Sequence, residues 1–287
     1  RRTSAPPPAR GEAPRHDGAL VRLGPASFDA RTSALRTLGP VAVGGLRLDV
    51  WRAPTDNDNG APWQPEERFG LIWRNLGLHR MRERPDGVEL TDDSLVVRTR
   101  VAPAATDLGL FTTYTWTASG SRVRLAVEVT PDGEWACPLP RLGIRFGLPS
   151  SYDRAHWFGG GPGEAYPDTR AASMLGRWRS GVDELQTPYV RPQENGARAD
   201  VRWVELGDMR IEGEPAFWFS ARRWTSEQLD AAEHTTDLVP GDTVWVNLDH
   251  AQHGIGSQSC GPGVLPRYRL DVAPAAFSFT FSVVESR

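Results

Sequence analysis

Several stretches of the sequence alternate apolar and polar residues, and this alternation constrains the fold more than any other feature. Valine or leucine occupies every second position from Val123 to Val129, and phenylalanine does so from Phe277 to Phe281. A period of two residues is typical of a β-strand with one buried face. The 29 glycines and 24 prolines divide the sequence into short segments. Together these features predict an all-β fold, a large antiparallel β-sandwich rather than a parallel α/β fold.

Signals for helices are few. Residues 65–76 begin with a proline and place Phe69, Ile72 and Trp73 along one helical face. A second helix is predicted after Thr225, where Gln228 completes a capping box. The sequence therefore predicts a sandwich with one or two short helices.

The predicted domain organisation is simple. Residues 1–16 are rich in proline, arginine and alanine, which is typical of a disordered linker or tail. Residues 17–287 contain no internal repeat and no clear boundary, so we expect a single β-sandwich domain. Because the sequence begins with Arg1 rather than methionine, we expect a piece of a longer polypeptide.

Composition excludes several classes of function. The formal net charge is −3 and no basic cluster stands out beyond the N-terminus, which disfavours nucleic acid as a partner. All 33 basic residues are arginine, which excludes a Schiff-base lysine, a phosphate-loop lysine and a lysine general base. No apolar run approaches a membrane span and no signal-peptide pattern is present, so we expect a cytoplasmic location without a membrane partner.

Residues 51–60, WRAPTDNDNG, suggest either a metal loop, a catalytic carboxylate pair or a turn. In an EF-hand alignment Asp56 and Asp58 fall between the calcium ligand positions, and Thr55 replaces the first aspartate. The two aspartates are also too close in sequence to flank a substrate from opposite sides. We therefore predict a hydrogen-bonded turn whose entry is fixed by Pro54.

Three further stretches are rich in glycine or polar residues. Residues 157–170, WFGGGPGEAYPDTR, lack the lysine-containing signature of a phosphate loop. Residues 187–206 contain a predicted turn at 194–196 followed by a strand. In residues 248–262, His250 and His253 have no third ligand at a recognisable spacing, so no metal site is predicted. By chemistry alone, these tryptophan-rich polar loops suit a neutral ligand such as a sugar.

These stretches, in this order, resemble the C-terminal domain of the large bacterial β-galactosidases of glycoside hydrolase family 2. The resemblance rests on RAPTDNDNG (52–60), GGGPGEAYPD (159–168), TPYVRPQENGARADVRW (187–203) and LDHAQHGIGSQSCGP (248–262). Weaker similarity at 28–38 and 219–238 extends it over residues 20–287.

The resemblance implies a fold, and it implies that the catalytic residues lie in another domain. The fold is the large antiparallel sandwich shared with galactose mutarotases, often called a supersandwich. Both catalytic glutamates of the family lie on a (β/α)8 barrel earlier in the polypeptide, so we expect no catalytic residue in this chain. The chain would form part of the wall around a pocket for terminal β-D-galactosides, which the family hydrolyses with retention. Its expected partners are the sugar, the barrel and the other domains of the same enzyme.

The resemblance also implies cofactors and site residues. We expect no cofactor in this chain, because the Mg²⁺ and Na⁺ that the full-length family often uses are bound by other domains. Cys260 stands where a tryptophan of the family reaches the sugar site, so Cys260 and Ser259 are expected to be substrate-proximal. Gly143 is expected to be substrate-proximal as the hinge of a mobile loop. The remaining motif residues are expected to be mainly structural, namely Asp56, Asn57, Asp58, Glu164, Tyr166, Asp168, Glu194, Asn195 and Arg198.

Two alternatives stay open at this point. A standalone enzyme similar to aldose 1-epimerases would need a histidine and a glutamate converging on the sugar, and His156, His250 or His253 could serve with Glu164 or Glu194. A non-catalytic carbohydrate-binding or assembly module would have affinity without a reaction.

Overall fold

A computed structural model describes residues 11–104 and 106–283. That part of the chain forms seventeen β-strands and three short α-helices, joined by loops and single 3₁₀ turns. The strands are β1 (Arg15–Asp17), β2 (Leu20–Leu23), β3 (Ala26–Asp29), β4 (Leu35–Leu38), β5 (Val41–Ala42), β6 (Gly44–Asp49), β7 (Arg82–Leu90), β8 (Ser94–Ala102), β9 (Gly109–Ser119), β10 (Arg122–Asp132), β11 (Arg141–Pro149), β12 (Arg154–Gly161), β13 (Met174–Gly181), β14 (Arg198–Leu206), β15 (Met209–Arg222), β16 (Thr243–Gln252) and β17 (Ala275–Val283). The helices are α1 (Asp56–Asn59), α2 (Phe69–Leu76) and α3 (Ser226–Ala231).

The strands form two antiparallel sheets. Strands β1 to β5 make a five-stranded meander in chain order, and the other twelve strands form the main sheet. The main sheet runs in the order β13-β12-β14-β15-β17-β10-β9-β8-β7. It branches at β15, which also pairs with β16 and leads through β11 to β6. The predicted all-β antiparallel architecture is therefore confirmed.

One hydrophobic core contains residues of both sheets. In β10 the residues Val123, Leu125, Val127 and Val129 are buried while Arg124 lies exposed, as the alternating sequence predicts. Phenylalanine rings join separate strands across the core. Phe146 of β11 meets Phe281 of β17 edge-on at 6.0 Å, and Phe28 of β3 meets Trp116 of β9 at 5.1 Å. The five-stranded meander thus packs into the same core as the main sheet.

The helices follow local signals. Helix α2 begins at Phe69, later than predicted, because residues Pro65–Glu67 form a separate 3₁₀ turn. It ends at Gly77, whose φ of 81° is the left-handed conformation that glycine favours. Helix α3 begins with the predicted capping box between Thr225 and Gln228. Helix α1 was not predicted, since a single turn has no periodic pattern to reveal it. None of the helices described in residues 11–104 and 106–283 has the length and apolar character needed to cross a membrane.

The structure describes only part of the predicted linker at residues 1–16. Residues 1–10 lie outside the described residues, but residues 11–16 are attached to the sandwich. The backbone N–H of Glu12 donates to the carbonyl of Ala118 at 2.9 Å, and the Glu12 carboxylate accepts from Gly120 N–H at 2.9 Å. Arg15 and His16 lie in β1. Residues 11–16 therefore contact the sandwich, although their composition is typical of a linker.

The role expected for Gly143, the hinge of a mobile loop, stays a prediction. Gly143 is a buried residue of β11, where it pairs with Asp49 of β6 on one side and Asp249 of β16 on the other. A Cβ atom at this position would lie 2.3 Å from the Leu248 carbonyl oxygen and 2.5 Å from the Asp249 Cα. Glycine is therefore needed for the close approach of two strands.

We expect Gly143→Ala to lower the free energy of unfolding by about 1–3 kcal/mol, because the added methyl group meets backbone atoms of a paired strand. Gly44→Ala in β6 is the matched control, since nothing lies within 4 Å of its added Cβ. The control should change stability by less than about 0.5 kcal/mol. Urea denaturation measures both, and wild-type stability in the Gly143 variant would contradict the close packing.

Candidate functional site

The four motif stretches of the sequence meet at one end of the sandwich. The Asp168 carboxylate accepts hydrogen bonds from the backbone N–H groups of Ile255 and Gly256, at 3.0 and 2.7 Å. The backbone N–H of Glu194 donates to the carbonyl of Ala53 at 3.3 Å. These contacts join segments that lie far apart in the sequence, namely residues 52–60, 159–168, 187–203 and 248–262.

Glu194 lies at the centre of this end and is fully buried. Its carboxylate accepts hydrogen bonds from Arg141 Nη2 at 3.2 Å, from Arg222 Nη2 at 3.3 Å and from the Tyr166 hydroxyl at 3.2 Å. Arg222 also donates to the carbonyl of Asn195 at 2.8 Å. One carboxylate therefore links the ends of β11 and β15 to two motif loops.

Two aspartates complete the surroundings of Arg141. Asp249 Oδ1 lies 3.4 Å from Arg141 Nε, and Asp49 Oδ2 lies 3.9 Å from Arg141 Nη1. The amide of Asn247 donates to Asp49 at 2.8 Å. We call Asp49, Arg141, Glu194, Arg222 and Asp249 the buried charge cluster. Charges of both signs lie together in it, which offsets the large cost of burying each one alone.

The strand register explains how the cluster assembles. Asp49 and Asp249 lie in the strands on either side of β11, and both pair with Gly143. A Cβ on Gly143 would lie 2.7 Å from Asp249 Oδ1. Because glycine has no side chain, position 143 leaves room for the Asp249 carboxylate.

The pKa values of the two central carboxylates, Asp249 and Glu194, are shifted in opposite directions. Burial, helped by the nearby Asp49 and Glu194 charges and opposed by Arg141, raises the pKa of Asp249 to about 7. Burial also acts to raise the pKa of Glu194, but Arg222 and Arg141 outweigh it and leave that pKa below its ordinary value. Glu194 is therefore more firmly ionised than Asp249.

Arg52 connects the TDNDNG segment to the last motif loop. Its guanidinium donates to the Asp58 carboxylate at 2.8 and 3.0 Å, and to the carbonyls of His253 and Gly254 at 2.7 and 3.0 Å. Asp58 also accepts from the backbone N–H of Thr55 at 2.8 Å. Both Arg52 and Asp58 are buried. The segment is thus a capped helical turn whose buried aspartate is paired with an arginine.

The remaining predicted motif residues bond within the same end of the sandwich. Glu164 accepts from the Gly196 N–H at 2.6 Å and from the Tyr189 hydroxyl at 2.7 Å. Asn195 Oδ1 accepts from the Thr187 N–H at 3.0 Å. At the start of β14, buried Arg198 donates to the carbonyl of Gly196 at 2.7 Å.

Asp56 is exposed, and its backbone N–H donates to Gln193 Oε1 at 3.1 Å. Among the residues predicted to be substrate-proximal, Ser259 and Cys260 lie exposed on the last loop, whereas Gly143 is buried. All these functional roles stay predictions.

The histidines considered as metal ligands pack against aromatic rings. His253 is buried between Phe69 and Trp73, with ring centroids 5.1 and 5.5 Å away. Its Nδ1 accepts from the backbone N–H of Leu270 at 3.1 Å. Burial lowers the pKa of His253 to about 2, so it is neutral. His250 stacks on Phe277 at 5.1 Å.

Sequence reasoning missed Asp49, Arg52, Arg222 and Asp249. A signal for them is present, because each charged residue stands in or beside an apolar strand segment, as Asp249 does after Val246 and Leu248. A charge in a strand buried on both faces must find a partner. The sequence alone does not say which partner.

The raised pKa of Asp249 predicts a pH-dependent stability. In the native state Asp249 keeps its proton up to a pH of about 7. An aspartate with the ordinary pKa of 3.8 loses its proton at a much lower pH. The native state therefore binds more protons over this range, and the stability contributed by Asp249 falls as the pH rises through it.

Asp249→Asn removes the titrating group. From about pH 5 to about pH 8, the unfolding free energy of the wild type should fall relative to the variant by on the order of 2 kcal/mol. Urea denaturation at both pH values measures the change. A difference between the two proteins that stays constant with pH would contradict the raised pKa.

Comparison with known proteins identifies the family. The family model described as "Beta galactosidase small chain" matches residues 25–283. The β-galactosidase of Arthrobacter sp. (strain B7) is 37% identical over 91% of this chain, and that of Vibrio cholerae serotype O1 is 34% identical over 94%. The β-galactosidase of Kluyveromyces lactis is 31% identical over 82% of the chain. The chain spans 28%, 28% and 23% of the lengths of these three relatives.

Similarity to solved structures is more distant. A putative aldose 1-epimerase from Escherichia coli K12 is 11% identical, with a TM-score of 0.43 over 95% of this chain and 98% of that one. A galactose mutarotase related enzyme from Lactobacillus acidophilus is 8% identical, with a TM-score of 0.40 over the same shares. Likeness at this level says nothing about activity. The match over nearly the whole described sandwich shows that the chain belongs to the β-galactosidase small-chain family.

Proposed function

We propose that this chain is the C-terminal part of a β-galactosidase that hydrolyses terminal β-D-galactosides with retention. In this proposal the chain forms part of the wall of the active site, and both catalytic glutamates lie on a barrel domain elsewhere in the polypeptide. The main support is that the chain matches β-galactosidases over nearly its whole length yet spans only 28% of the relatives from Arthrobacter and Vibrio.

The buried charge cluster supports the absence of a catalytic pair. Retaining hydrolysis needs two carboxyl groups about 5 Å apart that face a cleft open to the sugar. The carboxylates of Glu194 and Asp249 do lie close together, around Arg141, but the side chains of all three have no exposed surface. A sugar cannot reach them without unfolding this end of the sandwich.

A cavity beside the cluster also contains carboxylates. It has a volume of about 210 Å³, and Asp49, Glu83 and Glu227 are among its lining residues. Glu83 accepts a hydrogen bond from the Tyr114 hydroxyl at 2.9 Å, and Glu227 is paired with Arg145 at 2.6 Å. Each of these carboxylates already has a partner, which favours a structural role for them over a nucleophile and acid pair.

Exposed apolar side chains support docking to the rest of the enzyme. Trp63 is 81% exposed and Val190 is 90% exposed. Both adjoin the motif loops, since Gln64 next to Trp63 bonds Gln258 at 2.7 Å and Val190 lies inside the 187–203 stretch. Large exposed apolar groups are typical of a surface that another domain covers. We propose that this end faces the barrel, with Ser259 and Cys260 near the sugar.

The proposal extends to cofactors and location. We propose that this chain holds no cofactor and that the Mg²⁺ and Na⁺ common in the family are bound by other domains. We also propose a cytoplasmic location for the whole enzyme.

The contacts of the histidines disfavour the epimerase alternative. His156 bonds Glu205 at 2.9 Å, while His250 and His253 pack on aromatic rings. In the described part of the chain, no hydrogen bond joins any of the three to Glu164 or Glu194. These existing contacts of the three histidines disfavour them as acid or base in epimerisation.

The proposal predicts that this chain alone does not hydrolyse o-nitrophenyl β-galactoside, because the bond-breaking glutamates are elsewhere. The complete polypeptide that carries this sequence should hydrolyse the substrate. Colorimetric assay of both purified proteins, with polarimetry of galactose mutarotation on the chain alone, makes the comparison.

Robust turnover by the chain alone would contradict the proposal. Mutarotation above the buffer rate would restore the epimerase alternative. Calorimetric binding of lactose by the chain, with an inactive complete polypeptide, would instead favour a carbohydrate-binding module.

A further inference from the structure

We propose that Asn57 is a positioning residue that holds the tip of the loop 254–262 and so determines which leaving groups the enzyme accepts. We call residues 254–262 the tip loop. The inference rests on the proposed function, because Ser259 and Cys260 of this loop border a sugar only in the complete enzyme.

The tip loop depends on side chains outside it for its position. Residues 253–265 belong to no helix or strand. The hydrogen bonds within the loop are short-range, from the Ser257 N–H to the Pro262 carbonyl at 3.1 Å and from the Cys260 N–H to the Ser257 carbonyl at 3.0 Å. Such bonds shape the loop, but they do not fix it relative to the sandwich.

Two anchors hold only the base of the loop. Arg52 donates to the carbonyls of His253 and Gly254, and Asp168 accepts from the N–H groups of Ile255 and Gly256. These contacts end at residue 256, three residues before the exposed tip.

Asn57 links the base to the tip. Its Nδ2 donates to the Gly256 carbonyl at 2.8 Å, while its Oδ1 accepts from the Ser259 N–H at 3.1 Å and the Ser259 hydroxyl at 2.7 Å. Gln64 holds the neighbouring Gln258 separately. Across the described residues, Asn57 is the one side chain outside the loop that bonds Ser259, the residue before Cys260.

Helix α1 makes Asn57 a rigid anchor. Thr55 caps the helix by accepting from the Asp58 N–H at 3.2 Å, and Asp58 is locked by Arg52. The same buried pair thus fixes both the base of the loop and the helix that holds its tip. Asparagine also supplies a donor and an acceptor at once. An ionised aspartate at position 57 would set a carboxylate against the Gly256 carbonyl.

A shift of the tip loop should change selectivity more than bond cleavage. The proposed catalytic glutamates lie on another domain and keep their places when Asn57 is truncated. In this proposal the leaving group lies beside Cys260 and its contacts change with the loop, so the ratio of kcat/KM for two leaving groups reports the shift.

Labelling of Cys260 tests the position of the loop without any need for activity. Cys260 is exposed in this chain but faces the barrel in the proposed complete enzyme, so Asn57→Ala should raise the rate of its alkylation there by about tenfold as three hydrogen bonds to the loop are lost. Peptide mass spectrometry separates Cys260 from buried Cys137, whose pKa burial raises to about 11 and which serves as the internal reference. Asn59→Ala is the matched control, because Asn59 lies in the same helix and its side chain contacts Arg74 rather than the loop.

The second measurement compares kcat/KM for lactose and for o-nitrophenyl galactoside. Asn57→Ala and Asn57→Asp should change this ratio by about tenfold, and Ser259→Ala, which keeps its backbone bond to Asn57, by less. Asn59→Ala should leave it unchanged. Ser259→Ala keeps the test usable if the Asn57 variants fold poorly.

An unchanged alkylation rate in the Asn57 variants would overturn the proposal. Faster alkylation with an unchanged substrate ratio would overturn it too, because the loop would then have no part in selectivity. A wild-type complete enzyme without galactosidase activity would contradict the proposed function itself, and the alkylation rate would still report the contact between Asn57 and the loop.

Discussion

The hydrogen bonds of Glu194 to Arg141 and Arg222 are the interactions on which this end of the molecule depends. Glu194 comes from one motif loop, Arg141 begins β11, and Arg222 ends β15. Removing one member of such a buried set leaves an uncompensated charge, which costs about 3–5 kcal/mol. The geometry of the loops is therefore tied to the register of the sheet beneath them.

Arginine suits this task better than lysine. A guanidinium group presents several donors in a rigid plane and stays charged when buried. Arg52 uses this property to bond one carboxylate and two backbone carbonyls at once. In a chain whose basic residues are all arginine, one side chain can thus connect segments about 200 residues apart, as Arg52 does with Gly254.

The sequence predicted features that depend on neighbouring residues better than contacts between residues far apart in the chain. Alternation predicted the buried face of β10, because one face of that strand meets the core and the other meets solvent. Alternation does not predict a buried face for β11, because that strand is buried on both faces. The resemblance located the four loops that meet at one end, but it gave Asp58 and Glu194 only as mainly structural residues. Their partners Arg52 and Arg141 lie 6 and 53 residues away, and only the folded sheet brings Glu194 and Arg141 together.

Hydrogen exchange in a Glu194→Gln variant tests most directly whether the buried charge cluster holds the loops together. We expect backbone amides of Thr55, Gly196 and Gly256 to lose protection together, because the variant leaves Arg141 and Arg222 without their shared partner. Amides of β9 and β10 should keep theirs, since those strands contribute no residue to the cluster. Loss of protection confined to the residues beside position 194 would show that the loops are held independently, and would contradict this account.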